Sequence, residues 1–272
     1  DEYSDLELGL FWDEMPSEVT RRDAIEMLGA TILAFDRDGS RGREHLEVRS
    51  AAGFSGTSMI SCIHGTVADT EREIRAVLND LDTSMERQAL LSALATGHPL
   101  HGASMLEDWQ STVRSYPTDL AIKIIQENLW FGPFYIPEAY ITRGDVVVLY
   151  GHYQRAIECL LRILAALNRQ YYPSEEYKWT PQIISSLALK PDDLLNRMRE
   201  VWSVALEESW PLLRGLLLET IGLIEENLPQ VNEKSLFEDR PDINTTWARK
   251  RLEPHPPYTL MGRMAGLNEG HG

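Results

Sequence analysis

With 272 residues, 43% of them hydrophobic and 25% charged, the chain is long enough to bury one large core or two smaller ones, and its composition is that of a globular protein. A formal charge of −16 and a pI near 4.9 disfavour long-range attraction to nucleic-acid phosphates or an anionic bilayer, so neither partner is expected and a small cationic molecule suits the field better. No apolar run of about 18 residues is present, no basic and apolar leader precedes Asp1, and Cys62 and Cys159 lack metal-ligand spacing. Buried free thiols, no membrane span and a cytoplasmic setting are the expectations.

The first element is a strand. Leu6, Leu8 and Leu10 alternate with Asp5, Glu7 and Gly9, the period of a strand with one buried face, so Asp5 and Glu7 share the other face. Two carboxylates two residues apart on a strand project in parallel and can share one hard divalent cation, Mg²⁺ above all. An acidic solvent face with no metal satisfies the same spacing. Ser17 is placed to cap a helix through Gly29, with Val19, Ile25, Met27 and Leu28 as its apolar contacts. A strand over 31–35, a polar loop over 36–43 holding Gly39-Ser40, and adjacent strands over 46–49 and 57–63 complete an α/β unit.

From Asp69, read as an N-cap, the pattern becomes helical, with Val67, Ile74, Val77, Leu78 and Leu81 three and four apart. Helices follow over 85–94, 104–115 and 118–129. His98 and His101 fall in a loop without acidic or cysteine partners, and the aromatic run 130–137 reads as core. Asp145 starts the longest helix, 146–172, ended by Pro173 and apolar nearly all round. Its polar stripe Gln154, Glu158 and Arg162 reads either as an internal Glu158–Arg162 ion pair or as a functional carboxylate facing a cleft. Further helices are expected over 180–187, 191–202 and from Ser209 to Leu228, then a proline-rich polar tail.

The acid-x-acid strand at 1–12 resembles that of the nucleotidyltransferase superfamily, the small α/β fold of antibiotic adenylyltransferases. Thr66-Val67-Ala68-Asp69, Pro99-Leu100-His101-Gly102, Asn168-Arg169-Gln170-Tyr171-Tyr172-Pro173 and Lys178-Trp179 resemble the helical half of bacterial proteins carrying that domain. The resemblance implies an α+β fold: a nucleotidyltransferase-like mixed sheet over 1–66, an α-helical bundle over 67–232 and an extended polar tail over 233–272. It implies Asp5 and Glu7 as Mg²⁺ ligands, and Asn168, Arg169, Tyr172 and Lys178 near ATP or another NTP. Basic residues at a helix C-terminus equally serve the helix carbonyls.

Two departures accompany the likeness. The Gly-Ser turn of the family belongs upstream of Asp5, and the place of its third carboxylate falls on Ser61, a poor base. The chain is therefore expected to be either a fragment or a degenerate member. Glu158, as a helical-domain carboxylate, is the candidate base, with Glu47 a second possibility. The implied activity is Mg²⁺-dependent transfer of a nucleoside monophosphate from an NTP to a hydroxyl of a small molecule. The rival expectation is a degenerate fold that binds a small molecule or serves as an accessory enzyme of a biosynthetic pathway.

Overall fold

A computed structural model of the chain describes residues 6–35, 43–49, 57–132, 137–174, 176–236 and 242–254. The fold is α+β, and the chain divides into two compact units, residues 1–80 and 81–272.

The first unit is built on a four-stranded sheet. Its elements are β1 (Leu6–Trp12), α1 (Glu18–Met27), β2 (Thr31–Phe35), β3 (Arg43–Arg49), β4 (Thr57–Thr66) and α2 (Val67–Leu78). The sheet order is β1-β4-β3-β2, with β1 and β4 parallel and the other two pairs antiparallel. Leu8 and Leu10 of β1, Leu46 of β3, and Ile60 and Cys62 of β4 face the core, where Ile25, Leu46 and Cys62 are buried and Ile32 packs against them. Period-two alternation therefore turns Glu7 and Ser61 to the opposite face.

Ser17 caps α1 as expected, its hydroxyl accepting from the Thr20 amide at 3.1 Å, and Gly29 follows the helix at φ +64°. Of the four apolar contacts expected for α1, only Ile25 is buried; Val19, Met27 and Leu28 are exposed. The cap of α2 is Thr66, whose hydroxyl accepts from the Asp69 amide at 3.0 Å. Asp69 thus lies in the first turn, where its charge favours the helix dipole, and is not the cap.

The second unit is helical. It comprises α3 (Met85–Thr96), α4 (Ala103–Val113), α5 (Thr118–Asn128), α6 (Pro137–Arg143), α7 (Val146–Leu167), α8 (Thr180–Ser186), α9 (Leu194–Val201), α10 (Leu206–Asn227), a short 3-10 turn at Pro229–Asn232, and α11 (Thr245–Arg251). The core lies where α5, α7 and α10 pack: Leu120, Ile122 and Ile125, then Leu149, Leu160 and Leu164, then Leu213, Leu217 and Ile221 are wholly buried or nearly so. Each such side chain contributes about 1.5–3 kcal/mol by leaving water. Tyr153 is buried among them, its hydroxyl 3.0 Å from that of Ser209, and its ring packs on Trp202 and Trp210.

The segment leading into α3 is held by side chains of the core helices. Lys123 of α5 donates to the Leu81 carbonyl at 2.9 Å, and Arg162 of α7 donates to the Thr83 carbonyl at 3.0 Å. Asp82 accepts from the Ser84 amide at 2.9 Å and pairs with Arg87, turning the chain into the helix.

Three helix boundaries depart from expectation for identifiable reasons. α7 stops at Leu167 because Arg169 adopts φ +56°, its amide bonding the Ala166 carbonyl at 3.0 Å and the Gln170 amide the Ala165 carbonyl at 2.9 Å. That pairing is a Schellman ending with arginine where glycine is usual. α10 starts at Leu206, before Ser209, and takes Pro211 into its second turn. In the tail expected to be extended, Asn244 caps α11, accepting from the Trp247 amide at 2.9 Å. Ile243, Ala248 and Leu252 are buried there, and Arg249 pairs with Glu225 of α10. No helix among the described residues is long and apolar enough to cross a membrane.

Candidate functional site

In the first unit, Glu7 is exposed at the second position of β1, on the face away from the core. The parallel register sets it opposite Ser61 of β4, which is buried, and the antiparallel register sets His45 of β3 on the other side of Ser61. Glu47 falls opposite Met59 on one side and Thr31 on the other. Asp5 lies outside the described residues, as do Gly39 and Ser40. Glu7 is the kind of donor that suits Mg²⁺, an accessible carboxylate on a strand. Among the described residues no group of three His, Cys, Asp or Glu side chains is assembled for a metal. His98 and His101 are both exposed in their loop, and Cys62 and Cys159 are buried and free.

In the second unit, Glu158 projects from the middle of α7, only partly exposed. It accepts hydrogen bonds from Gln154 at 3.0 Å and Arg155 at 3.1 Å. The expected Glu158–Arg162 pair is replaced by this one. Three residues apart on a helix are as close as four, and Arg162 is drawn to the Thr83 carbonyl instead.

Glu158 lines a cavity of about 270 Å³ closed by the strap between α7 and α8, by Thr180 and by α9. Glu176 and Tyr177 of the strap, with Met198 and Trp202, form the remainder of its wall. Tyr177 takes φ +54° and Trp179 φ +60°, a left-handed backbone that bulky side chains rarely accept. The Thr180 hydroxyl donates to the Tyr177 carbonyl at 2.7 Å and helps to hold that turn. Burial pushes the Tyr177 phenol up to about 12, so it is a neutral donor near pH 7. Burial likewise pushes the Cys159 thiol up to about 11, which makes it a poor nucleophile.

The four residues expected near a nucleotide divide by what they already do. The Asn168 amide donates to the Leu164 and Leu189 carbonyls and accepts from the Ala188 and Leu189 amides, so both of its donors are used inside the fold. Tyr172 is buried, its ring against Tyr177 and its phenol raised by burial. Arg169 is partly exposed and Lys178 is exposed, the latter paired with Glu176 at 2.6 Å. The sequence pattern singled out Gln154 and Glu158 but missed Glu176, Tyr177, Met198 and Trp202. They come from a strap and a separate helix, and no periodicity connects them to α7.

No curated protein and no solved structure matches the chain. Residues 83–180 match the family model described as a Domain of unknown function (DUF4037), a stretch that takes in α3 to α7 and the strap through Thr180, and with them most of the cavity wall.

Proposed function

We propose that the protein is a nucleotidyltransferase of the acid-x-acid type, transferring a nucleoside monophosphate from an NTP such as ATP to a hydroxyl of a small molecule. The observation that supports this reading is the exposed Glu7 carboxylate on the non-core face of a short mixed sheet, with Asp5 two residues before it in the sequence.

In this reading Asp5 and Glu7 hold Mg²⁺, which when bound neutralises charge on the triphosphate. Arg169 and Lys178 offset phosphate charge. A general base takes the proton of the acceptor hydroxyl as its oxygen attacks the α-phosphorus in line and pyrophosphate leaves, and Glu158 is the carboxylate that the resemblance implies for that role. Arg155 and Gln154 orient that carboxylate through their hydrogen bonds.

The test is calorimetric titration of the full chain with Mg·ATP and the other Mg·NTPs, repeated with Glu7→Gln and Asp5→Asn. Saturable binding that falls at least about tenfold in both variants supports the reading, a loss of about 1.4 kcal/mol or more. Unchanged binding in the variants removes it.

A second reading has its own observation. Ser61, a buried hydroxyl, stands in register with Glu7 where the resemblance implies a third carboxylate. A fold that binds a small molecule without transferring a nucleotidyl group is consistent with that residue. It predicts ligand binding by the second unit with no pyrophosphate release from any NTP.

A further inference from the structure

The cavity beside α7 has an unusual charge balance. Glu158 and Glu176 line it and no lysine, arginine or histidine does, although each carboxylate is paired with a cation just outside the wall, Arg155 at 3.1 Å and Lys178 at 2.6 Å. The polar remainder is neutral, from Gln154, Thr180 and the un-ionised Tyr177 phenol. Two aromatic side chains share the wall: Tyr177, whose ring packs on Tyr172, and Trp202, which is 42% exposed and backed by Tyr150 and Tyr153. Aromatic faces combined with carboxylates in a partly enclosed site form the arrangement that attracts organic ammonium ions.

We propose that this cavity binds an organic cation, a compact molecule carrying a protonated amine on an apolar body. The ammonium meets Glu158 and Glu176, and the apolar body lies against Trp202, Tyr177 and Met198. The ammonium competes with Lys178 for Glu176, a surface-exposed pair worth only about 0–1 kcal/mol, and joins the half-exposed Arg155 at the less exposed Glu158, so Glu176 is the carboxylate more easily recruited. The net charge of −16 raises the local concentration of any cation around the chain. A bulk field does not distinguish an amine on a flat surface from one in this cavity, and the experiment must.

The inference does not rest on the transfer reading: it concerns the second unit alone. The binding assay contains no nucleotide, so its outcome and that of the Mg·NTP titration are read separately.

The experiment is titration of the full chain with phenethylamine and, as the uncharged counterpart, phenethyl alcohol, followed by calorimetry and tryptophan emission. The amine is expected to bind saturably and at least about tenfold more tightly than the alcohol. Glu176→Gln and Glu158→Gln should each weaken the amine, and Trp202→Phe should weaken it as well while removing most of the emission change. The control is the pair Asp23→Asn with Glu26→Gln on α1, which removes two negative charges, one more than either cavity variant, and should leave amine affinity unchanged. Equal affinity for amine and alcohol overturns the proposal. So does an equal loss in the α1 control and in the cavity variants. Glu176 is exposed, so its substitution tests the site even where a change at Glu158 perturbs folding.

Discussion

Glu7 of β1 stands directly across from Ser61 of β4 in a parallel register, an accessible carboxylate beside a buried hydroxyl on the same face of the sheet. Replacing that hydroxyl by a carboxylate places a second negative charge beside Glu7, at the cost of burying it. Ser61→Asp is expected to lower the Tm in EDTA, and millimolar Mg²⁺ should restore a larger part of the loss than it adds to the parent protein. Thermal denaturation with and without Mg²⁺ checks this. An equal Mg²⁺ increment in both proteins argues against a cation site at Glu7.

Arg169 occupies the left-handed position of the Schellman ending of α7, which glycine fills without steric cost. Arg169→Gly should therefore stabilise the fold by about 1 kcal/mol, measured by urea denaturation. If Arg169 offsets phosphate charge, the same substitution lowers Mg·NTP affinity while stability rises. Those opposite signs separate a ligand role from a structural one.

The alternation of Leu6, Leu8 and Leu10 makes β1 legible, and Ser17 and Gly29 bracket α1, because both signals are local and carry their own chemistry. The end of α7 was not legible. Nothing in Asn168-Arg169-Gln170 announces a stop, since the turn that holds Arg169 at φ +56° is tied down by three hydrogen bonds between the Asn168 side chain and the backbone of Ala188 and Leu189, about twenty residues on. The early start of α10 was hidden for a similar reason: Pro211 reads as a beginning, yet its missing N–H costs one bond in a helix otherwise secured by burial of Trp210, Leu213 and Leu217. Glu158 was readable as the polar interruption of an apolar helix. Its neighbours across the cavity depend on how the strap folds back, which is a tertiary outcome.

Gly132 takes φ +90°, and a Cβ there would approach Cγ of Arg155 to 3.1 Å and its Cβ to 3.3 Å. Gly132→Ala is expected to destabilise by about 1–3 kcal/mol and to disturb the Arg155–Glu158 pair. Denaturation gives the first effect; a change in amine or nucleotide affinity at a site remote in sequence gives the second.

Arg249 holds the Glu225 carboxyl below the usual carboxylate range through its hydrogen bonds, outweighing the opposing effect of partial burial. Because the folded value is lowered, the unfolded state binds more protons in acid. The contribution is complete above the ordinary glutamate range and disappears as pH falls through the folded value. Protection of the α11 amides, taken relative to their intrinsic exchange rate at each pH, should therefore fall on acidification before that of α7 does, by an amount suited to a half-exposed pair, about 0.2–1 kcal/mol. Arg249→Met should remove that pH dependence.

At the alkaline end, Tyr153 and Tyr177 are both pushed up to about 12, chiefly by burial. Their unfolded counterparts ionise near pH 10, so between these values the unfolded chain carries fewer protons and stability falls as pH rises. Phenolate absorbance should show these tyrosines titrating together with unfolding. Tyr153→Phe should flatten the alkaline loss while costing about 1 kcal/mol at neutral pH, because the buried hydrogen bond to Ser209 is lost while Ser209 goes on donating to the Leu206 carbonyl.

The grip of Lys123 and Arg162 on the carbonyls of Leu81 and Thr83 bears on how the helical unit is dissected. A recombinant fragment cut to begin with α3 would leave two cations of the core helices facing carbonyls that no longer exist. The functional boundary of that unit is therefore set by two side chains anchored far along the chain, and a self-sufficient piece has to carry the few residues ahead of its first helix.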